Sequence, residues 1–240
     1  MVHGITSASL GIPDYAIALD QHAKYIETLQ SCGLDVFVLE PDSRYPDSTF
    51  VEDVALCTPA CAIITNPGAP SRNGEQDEMK GILQSYYDVI EYIESPGTLD
   101  AGDVMMTGKH FFIGISDRTN QEGADQLIQI LERHQMTGEK VSLNEMLHLK
   151  SGVSFLEKGH MLVAGEFIEY PAFKEFNRLL VDPDETYAAN SLWINGTVLV
   201  PARFPKTRDI IEKAGYQTIT LDVSEFQKLD GGLSCLSLRF

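Results

Sequence analysis

One order of elements, a β-hairpin followed by a helix and then a strand, recurs along this chain at intervals of about 35–60 residues. In the first copy, strands Phe50–Cys57 and Ala62–Thr65 turn around Pro59. A helix over Glu75–Tyr87 follows, with Met79, Ile82, Leu83 and Tyr86 on one face, and Val89–Ile93 closes the unit as a strand. The second copy pairs Asp103–Met106 with Phe111–Ile115. It continues through a helix with Ala124, Leu127, Ile128 and Leu131 on one stripe, and ends at Val141–Leu143. The third pairs Val153–Leu156 with Met161–Ala164 and places a helix near Pro171–Leu179. The fourth pairs Ser191–Ile194 with Val198–Val200 across Asn195-Gly196, the strongest short hairpin signal. Its helix starts at Pro205-Lys206-Thr207 and leads to Gln217–Val223.

The two ends supply a partial fifth copy. A helix over about Pro13–Ser31 carries Ala18, His22, Tyr25, Ile26 and Leu29 on one stripe, with strand Asp35–Leu39 after it; Leu233–Phe240 reads as a single strand. One strand of this fifth hairpin is missing. Repeats that close through the termini suggest a ring, so the expected fold is α/β, a five-bladed α/β propeller formed by one domain over residues 1–240. A doubly wound α/β sheet is the competing architecture, and the hairpins argue against it because such sheets are mostly parallel.

Composition bounds the class. An apolar content of 43% without low-complexity tracts indicates a packed globular chain. No apolar run reaches the roughly 20 residues of a spanning helix, and Met1-Val2-His3-Gly4 lacks the pattern of a secretory signal. A cytoplasmic location away from membranes is the default expectation. The four cysteines, at 32, 57, 61 and 235, are too few for a disulfide scaffold and suit a reducing compartment. Cys57 and Cys61 lack two further ligands at matching spacing, so no metal is expected there; two cysteines flanking a turn is the better reading. The net charge of −17 repels nucleic acid and is compatible with a cationic small substrate.

In a ring of such modules the first strand of each would line the axis, and the segments leading into those strands are unusually polar. They are Asp47 with Glu52-Asp53, Asp100-Ala101-Gly102-Asp103, His148-Leu149-Lys150-Ser151, Ala188-Ala189-Asn190, and Leu229-Asp230-Gly231-Gly232-Leu233-Ser234-Cys235. Any one of these suits a turn or cap. Together they would assemble carboxylates, an imidazole and a thiol, which is what attack on a planar guanidinium requires. Carboxylates accept its fork of donors, a thiolate reaches its carbon, and a histidine moves the protons.

Several segments resemble, in order, those of the dimethylarginine dimethylaminohydrolase family of guanidine-modifying enzymes. They are Pro46-Asp47-Ser48-Thr49-Phe50-Val51-Glu52-Asp53, Asn66-Pro67-Gly68-Ala69-Pro70-Ser71-Arg72, Thr98-Leu99-Asp100-Ala101-Gly102-Asp103-Val104, Ser116-Asp117-Arg118-Thr119-Asn120, His148-Leu149-Lys150-Ser151 and Leu229–Cys235. The resemblance implies Cys235 as nucleophile, His148 as proton donor and Asp100 as the acid that orients the histidine or substrate. It implies that Asp47, Glu52 and Asp53 hold the cationic groups of the substrate, and that Arg72 and Arg118 bind its carboxylate. Ile5 and Leu229 would offer backbone carbonyls, and residues 2–11 resemble the family's lid loop. The implied reaction passes through a covalent thiouronium on Cys235 and yields citrulline and an amine without metal or cofactor. The partner is then a small arginine derivative. Family members usually begin with one more strand before Gly4, the strand missing from the fifth module, and the edge so exposed would favour association of copies. An arginine deiminase releasing ammonia is the nearest alternative. A non-catalytic propeller binding protein is the alternative from another class.

Overall fold

A computed structural model describes every residue from Met1 to Phe240. By packing, the chain divides into two compact units. The first comprises Met1–Thr49 and Gly152–Ser234, the second Phe50–Ser151 and Cys235–Phe240.

The first unit opens with helix α1 (Tyr15–Ser31), capped by Asp14, whose Oδ1 accepts the Ala16 and Ile17 N–H groups. Its buried face carries Ala18, Gln21, Tyr25 and Leu29, close to the expected stripe. The expected strand at Asp35–Leu39 is irregular chain instead, with Phe37 and Val38 exposed and no strand beside them to complete a ladder.

The second unit holds two modules. In one, β1 (Ala55–Cys57) pairs antiparallel with β2 (Ala62–Ile64), α2 (Asp77–Leu83) follows, and β3 (Ile90–Tyr92) returns parallel to β2. Cys57 and Cys61 flank the β1–β2 turn as free thiols, and burial pushes the Cys57 thiol up to about 11. Helix α2 is shorter than the apolar pattern suggested, leaving Tyr86 exposed. In the other module, β4 (Val104–Thr107) and β5 (His110–Ile115) are joined through Gly108, whose φ of +71° suits the first central position of a tight hairpin turn. Helix α3 (Gln121–Arg133) buries Ala124, Leu127, Ile130 and Leu131, and β6 (Thr137–Ser142) lies parallel to β5. Those helix residues pack with Ile63, Leu99, Val104, Phe111 and Ile113 in the core of the unit.

The remaining two modules belong to the first unit. Strands β7 (Val153–Phe155) and β8 (His160–Val163) form a hairpin, and β9 (Asn177–Leu180) lies parallel to β8. The helix expected near Pro171–Leu179 is replaced by two 3-10 turns, Gly165–Glu169 and Pro171–Glu175. Tyr170, which precedes a proline and is therefore held extended, separates them, while Phe167 and Phe173 still reach the interior. Strands β10 (Leu192–Ile194) and β11 (Thr197–Pro201) meet across Asn195-Gly196, both at positive φ. Helix α4 (Pro205–Lys213), β12 (Gln217–Leu221) and the short α5 (Ser224–Gln227) complete the unit. Its core joins Leu156, Leu162, Val198, Val200 and Ile211.

All four sheets thus have three strands in sequence order, the middle one antiparallel to the first and parallel to the last. The polar segment ahead of each hairpin is a 3-10 turn rather than strand: Val51–Val54, Ala101–Asp103, Leu149–Ser151 and Pro183–Ala189. The strand expected from Phe50 therefore starts only at Ala55. A strand would have pointed one of the adjacent acids Glu52 and Asp53 to each face, whereas the turn lets both find polar partners while buried. The expected strand Leu233–Phe240 is likewise a 3-10 turn, Ser234–Leu236, followed by irregular chain.

Candidate active site

Three of the leading turns in the second unit converge on one imidazole. His148 directly precedes the turn Leu149–Ser151; its side chain is 13% exposed, and Nε2 lies 3.4 Å from Asp100 Oδ2. Asp100, 1% exposed, caps the turn Ala101–Asp103, and its Oδ1 accepts the Gly68 N–H at 2.8 Å. Asp53, from the turn Val51–Val54, accepts the Gly102 N–H at 3.0 Å on Oδ1 and Arg72 Nη1 at 2.5 Å on Oδ2. Gly102 is the floor of the cluster: a Cβ there would stand 2.7 Å from Asp53 Oδ1 and 3.1 Å from His148 Nδ1. Only glycine lets the two approach.

Electrostatics follow from this packing. Burial lowers the affinity of His148 for its proton, but Asp103, Asp100 and Asp53 outweigh it and push the imidazole up to about 9. Burial also raises the Asp100 carboxyl, and the hydrogen bond from His148, with the Gly68 N–H and the Arg72 charge, brings it below its ordinary value. At neutral pH the site therefore carries an imidazolium held by carboxylates. Asp53, Asp100 and His148 each offer a ligand atom within 4.8 Å of the others, a spacing that could admit a metal ion. Their oxygens are already committed to Arg72, Gly68 and Gly102, and a second buried cation beside Arg72 would be repelled.

Glu52 is adjacent to Asp53 but serves other partners, accepting from Lys150 Nζ at 2.7 Å and Arg239 Nη2 at 3.0 Å. Arg72 is buried; its guanidinium bonds Asp53, Glu75 and the Phe50 carbonyl, so its donors are largely spent within the protein. Arg118 differs: its backbone is pinned by Ser116 Oγ, and its guanidinium forms neither a hydrogen bond nor an ion pair. Cys235 belongs to the same unit, in the turn Ser234–Leu236.

The other expected residues lie in the first unit. Asp47 accepts the Ile5 N–H on both oxygens, at 3.0 and 3.2 Å, and Leu229 is buried close to Gly4. The segment just before Cys235 is also fixed there. Tyr187 donates to the Gly231 carbonyl and Tyr25 to that of Leu233, while Asn190 takes the Ser234 N–H at 2.9 Å and donates to its hydroxyl at 3.0 Å. One buried acid was not singled out from sequence. Asp103 accepts from Ser116 Oγ, Thr119 Oγ1 and the Leu149 N–H, and the signal for it was its spacing from Asp100, one 3-10 turn.

These features define an α/β protein of repeated turn, hairpin, helix and strand, with a buried acid–imidazole centre in the unit that holds its one half-exposed C-terminal thiol. Comparison with known proteins sharpens this. Residues 14–178 match the family model described as "N,N dimethylarginine dimethylhydrolase, eukaryotic". The chain is 52% identical to the N(G),N(G)-dimethylarginine dimethylaminohydrolase of Pseudomonas aeruginosa, covering 100% of this chain and 95% of that one. It is 33% identical to the enzyme of the same name from Streptomyces coelicolor, over 94% of this chain and 87% of the other. It matches a structure of the Pseudomonas aeruginosa protein, a cysteine-to-serine mutant complexed with citrulline, with a TM-score of 0.98 at 52% identity, covering 100% of this chain and 94% of that one. The N-terminal domain of the cyanobacterial arginine dihydrolase ArgZ shares the fold, with a TM-score of 0.86 at 17% identity over 95% of this chain and 88% of that one. The chain belongs to the dimethylarginine dimethylaminohydrolase family.

Proposed function

We propose that this protein is a cysteine hydrolase that cleaves the guanidinium C–N bond of a free methylated arginine, giving citrulline and a methylamine. The observation that carries the reading is the His148 imidazole packed beside Asp100 and, across Gly102, Asp53, in the unit that also holds Cys235. The names of the relatives and the citrulline complex of the Pseudomonas aeruginosa protein support the substrate class. A further structure of a dimethylarginine dimethylaminohydrolase, a histidine-to-glycine mutant, is an adduct with S-methyl-L-thiocitrulline, which supports covalent chemistry.

In the proposed sequence the Cys235 thiolate attacks the guanidinium carbon, and His148 gives its proton to the departing amine. The C–N bond breaks and a thiouronium on Cys235 remains. The now neutral His148 takes a proton from water as the oxygen adds to the same carbon. Collapse breaks the C–S bond, the hydroxyl proton passes to the amine through solvent, and citrulline leaves. Asp100 orients the imidazole, and Glu52 and Asp53 supply the negative field for the cation. Arg118, with its fork of donors uncommitted, takes the substrate carboxylate, while Arg72 holds Asp53 in place and adds positive potential. The roles of Ile5, Asp47 and Leu229 rest on the family pattern alone. The same reading takes the four modules, with α1 and the C-terminal turn as a fifth, for the blades of a five-bladed α/β propeller; the repeated order of elements supports it.

Incubation with N,N-dimethylarginine and, separately, arginine tests the assignment. Dimethylamine and citrulline are expected from the first, with a transient adduct on Cys235 by mass spectrometry; Cys235→Ser should lose turnover at least 10³-fold while keeping its circular dichroism, since a hydroxyl is far less nucleophilic. Ammonia released from arginine instead would make the protein a deiminase. No citrulline from either would end the hydrolase reading.

A further inference from the structure

Asp103 has no part in the reaction sequence above, yet it is among the most buried acids of the chain, at 0% exposure. Its Oδ1 accepts the Leu149 N–H at 3.0 Å, and its Oδ2 accepts Ser116 Oγ and Thr119 Oγ1, each at 2.7 Å. The direction of the hydroxyl bonds is set by their other partners. Ser116 Oγ already accepts the N–H groups of Arg118 at 3.0 Å and Thr119 at 3.1 Å, so both of its lone pairs are taken and only its proton is left to offer. Thr119 Oγ1 accepts the Asp100 N–H at 3.2 Å and has Asp103 as its acceptor. Three donors thus face Asp103, the pattern of an ionised carboxylate rather than of a carboxylic acid.

Those bonds also tie three functional turns together. The Leu149 N–H belongs to the residue after His148, Ser116 and Thr119 bracket Arg118, and Thr119 holds the backbone of Asp100. Gly114 closes over the carboxylate, since a Cβ there would stand 3.0 Å from Asp103 Oδ1, so water has little room to screen the charge. We propose that Asp103 is a positioning residue: a buried, ionised carboxylate that locks the His148, Asp100 and Arg118 turns to one another and keeps the imidazole charged. The charged groups around that imidazole are Asp53, Asp100 and Asp103, with Arg72 neutralising Asp53 and Lys150, on the turn after His148, engaged by Glu52. Burial raises the Asp103 carboxyl above its ordinary value, and the imidazolium and the three donors offset only part of that rise. The catalytic meaning of the inference rests on His148 being the proton donor proposed above; its physical content does not.

NMR titration of the labelled His148 ring in the full chain, without substrate, tests it. Asp103→Asn should lower the His148 pKa by about 1–3 units, and the alkaline limb of the pH–rate profile should move with it. Ser116→Ala removes one bond and leaves the charge, so the His148 titration should shift by less than half as much as in Asp103→Asn. An unchanged His148 titration in Asp103→Asn, or an equal shift in both variants, would overturn the proposal. An asparagine amide would face two donated hydroxyl protons, so the wild-type protein provides a second measurement. The Asp103 carboxyl carbon should hold its ionised chemical shift between roughly pH 6 and 8, and a protonated signal there would overturn the proposal equally. These readouts follow ionisation rather than turnover, so a failure to make citrulline would leave them standing.

Discussion

Glu185 in the first unit and Asp53 in the second are nearly equally buried, at 6% and 3% exposed, but they satisfy their oxygens with different kinds of partner. Glu185, in the turn Pro183–Ala189, reaches the start of α4 with its carboxylate, accepting the N–H groups of Lys206 and Thr207 at 3.1 and 2.6 Å and the Thr207 hydroxyl at 2.8 Å. These donors are neutral, and the positive end of the helix dipole adds to them. Asp53 leans on a guanidinium, one backbone amide and a nearby imidazolium. Neutral donors hold a carboxylate without titrating themselves. A cluster of opposed charges is stable only while each member keeps its protonation state, and one that can exchange protons can also perform chemistry. The first arrangement suits a scaffold, and the second suits the reaction proposed for this site.

The largest test of that contrast is Arg72→Leu. It would strand two carboxylates, Asp53 and Glu75, whose side chains are 5% and 2% exposed. Removing one partner from a buried ion pair costs about 3–5 kcal/mol, so the urea midpoint should fall sharply. A loss no larger than that of a surface pair, about 1 kcal/mol or less, would show that the cluster is solvated. The second test is pH. His148 titrates at about 9 in the folded chain against 6.5 for a free histidine, so its contribution is fully present below pH 6.5 and is lost as pH rises through 9. The size is about 3 kcal/mol at 1.4 kcal/mol per unit. Urea denaturation at pH 6 and pH 9.5 should resolve it, with His148→Gln as the control that loses the difference. Equal slopes for the two proteins would break the distinction between the regions.

Much of the fold was legible because it is written in long periods. The stripes of α1 and α3, the start of α4 at Pro205 and the hairpin signal at Asn195-Gly196 are each set by local chemistry and came out close to expectation. The 3-10 turns were not legible: Val51–Val54 and Pro171–Glu175 are too short to show a period, and what shapes them is distant or tertiary, as with the 49-residue separation of Asp53 from Gly102. The site divides in the same way. Residue types and order pointed to Cys235, His148 and Asp100, but the engagement of Glu52 by Lys150 and Arg239, and the commitment of Arg72 to Asp53 and Glu75, depend on contacts no spacing announces. Asp103 was visible as a residue and invisible as a role, because its meaning lies in which way two hydroxyl protons turn.

The smallest expected effect concerns Glu185. Glu185→Ala would leave the N–H and hydroxyl of Thr207, itself 0% exposed, without their acceptor at the first turn of α4. The cost should be about 1–3 kcal/mol, that of unsatisfied buried donors, with faster hydrogen exchange confined to α4 and its neighbours. The His148 titration, and the loss of stability between pH 6.5 and 9, should be the same as in the wild type, because the acids that raise that imidazole are Asp103, Asp100 and Asp53. If the Glu185 variant instead shifts the His148 titration, the two carboxylates belong to one electrostatic system, and the line drawn between scaffold and site would have to be redrawn around both.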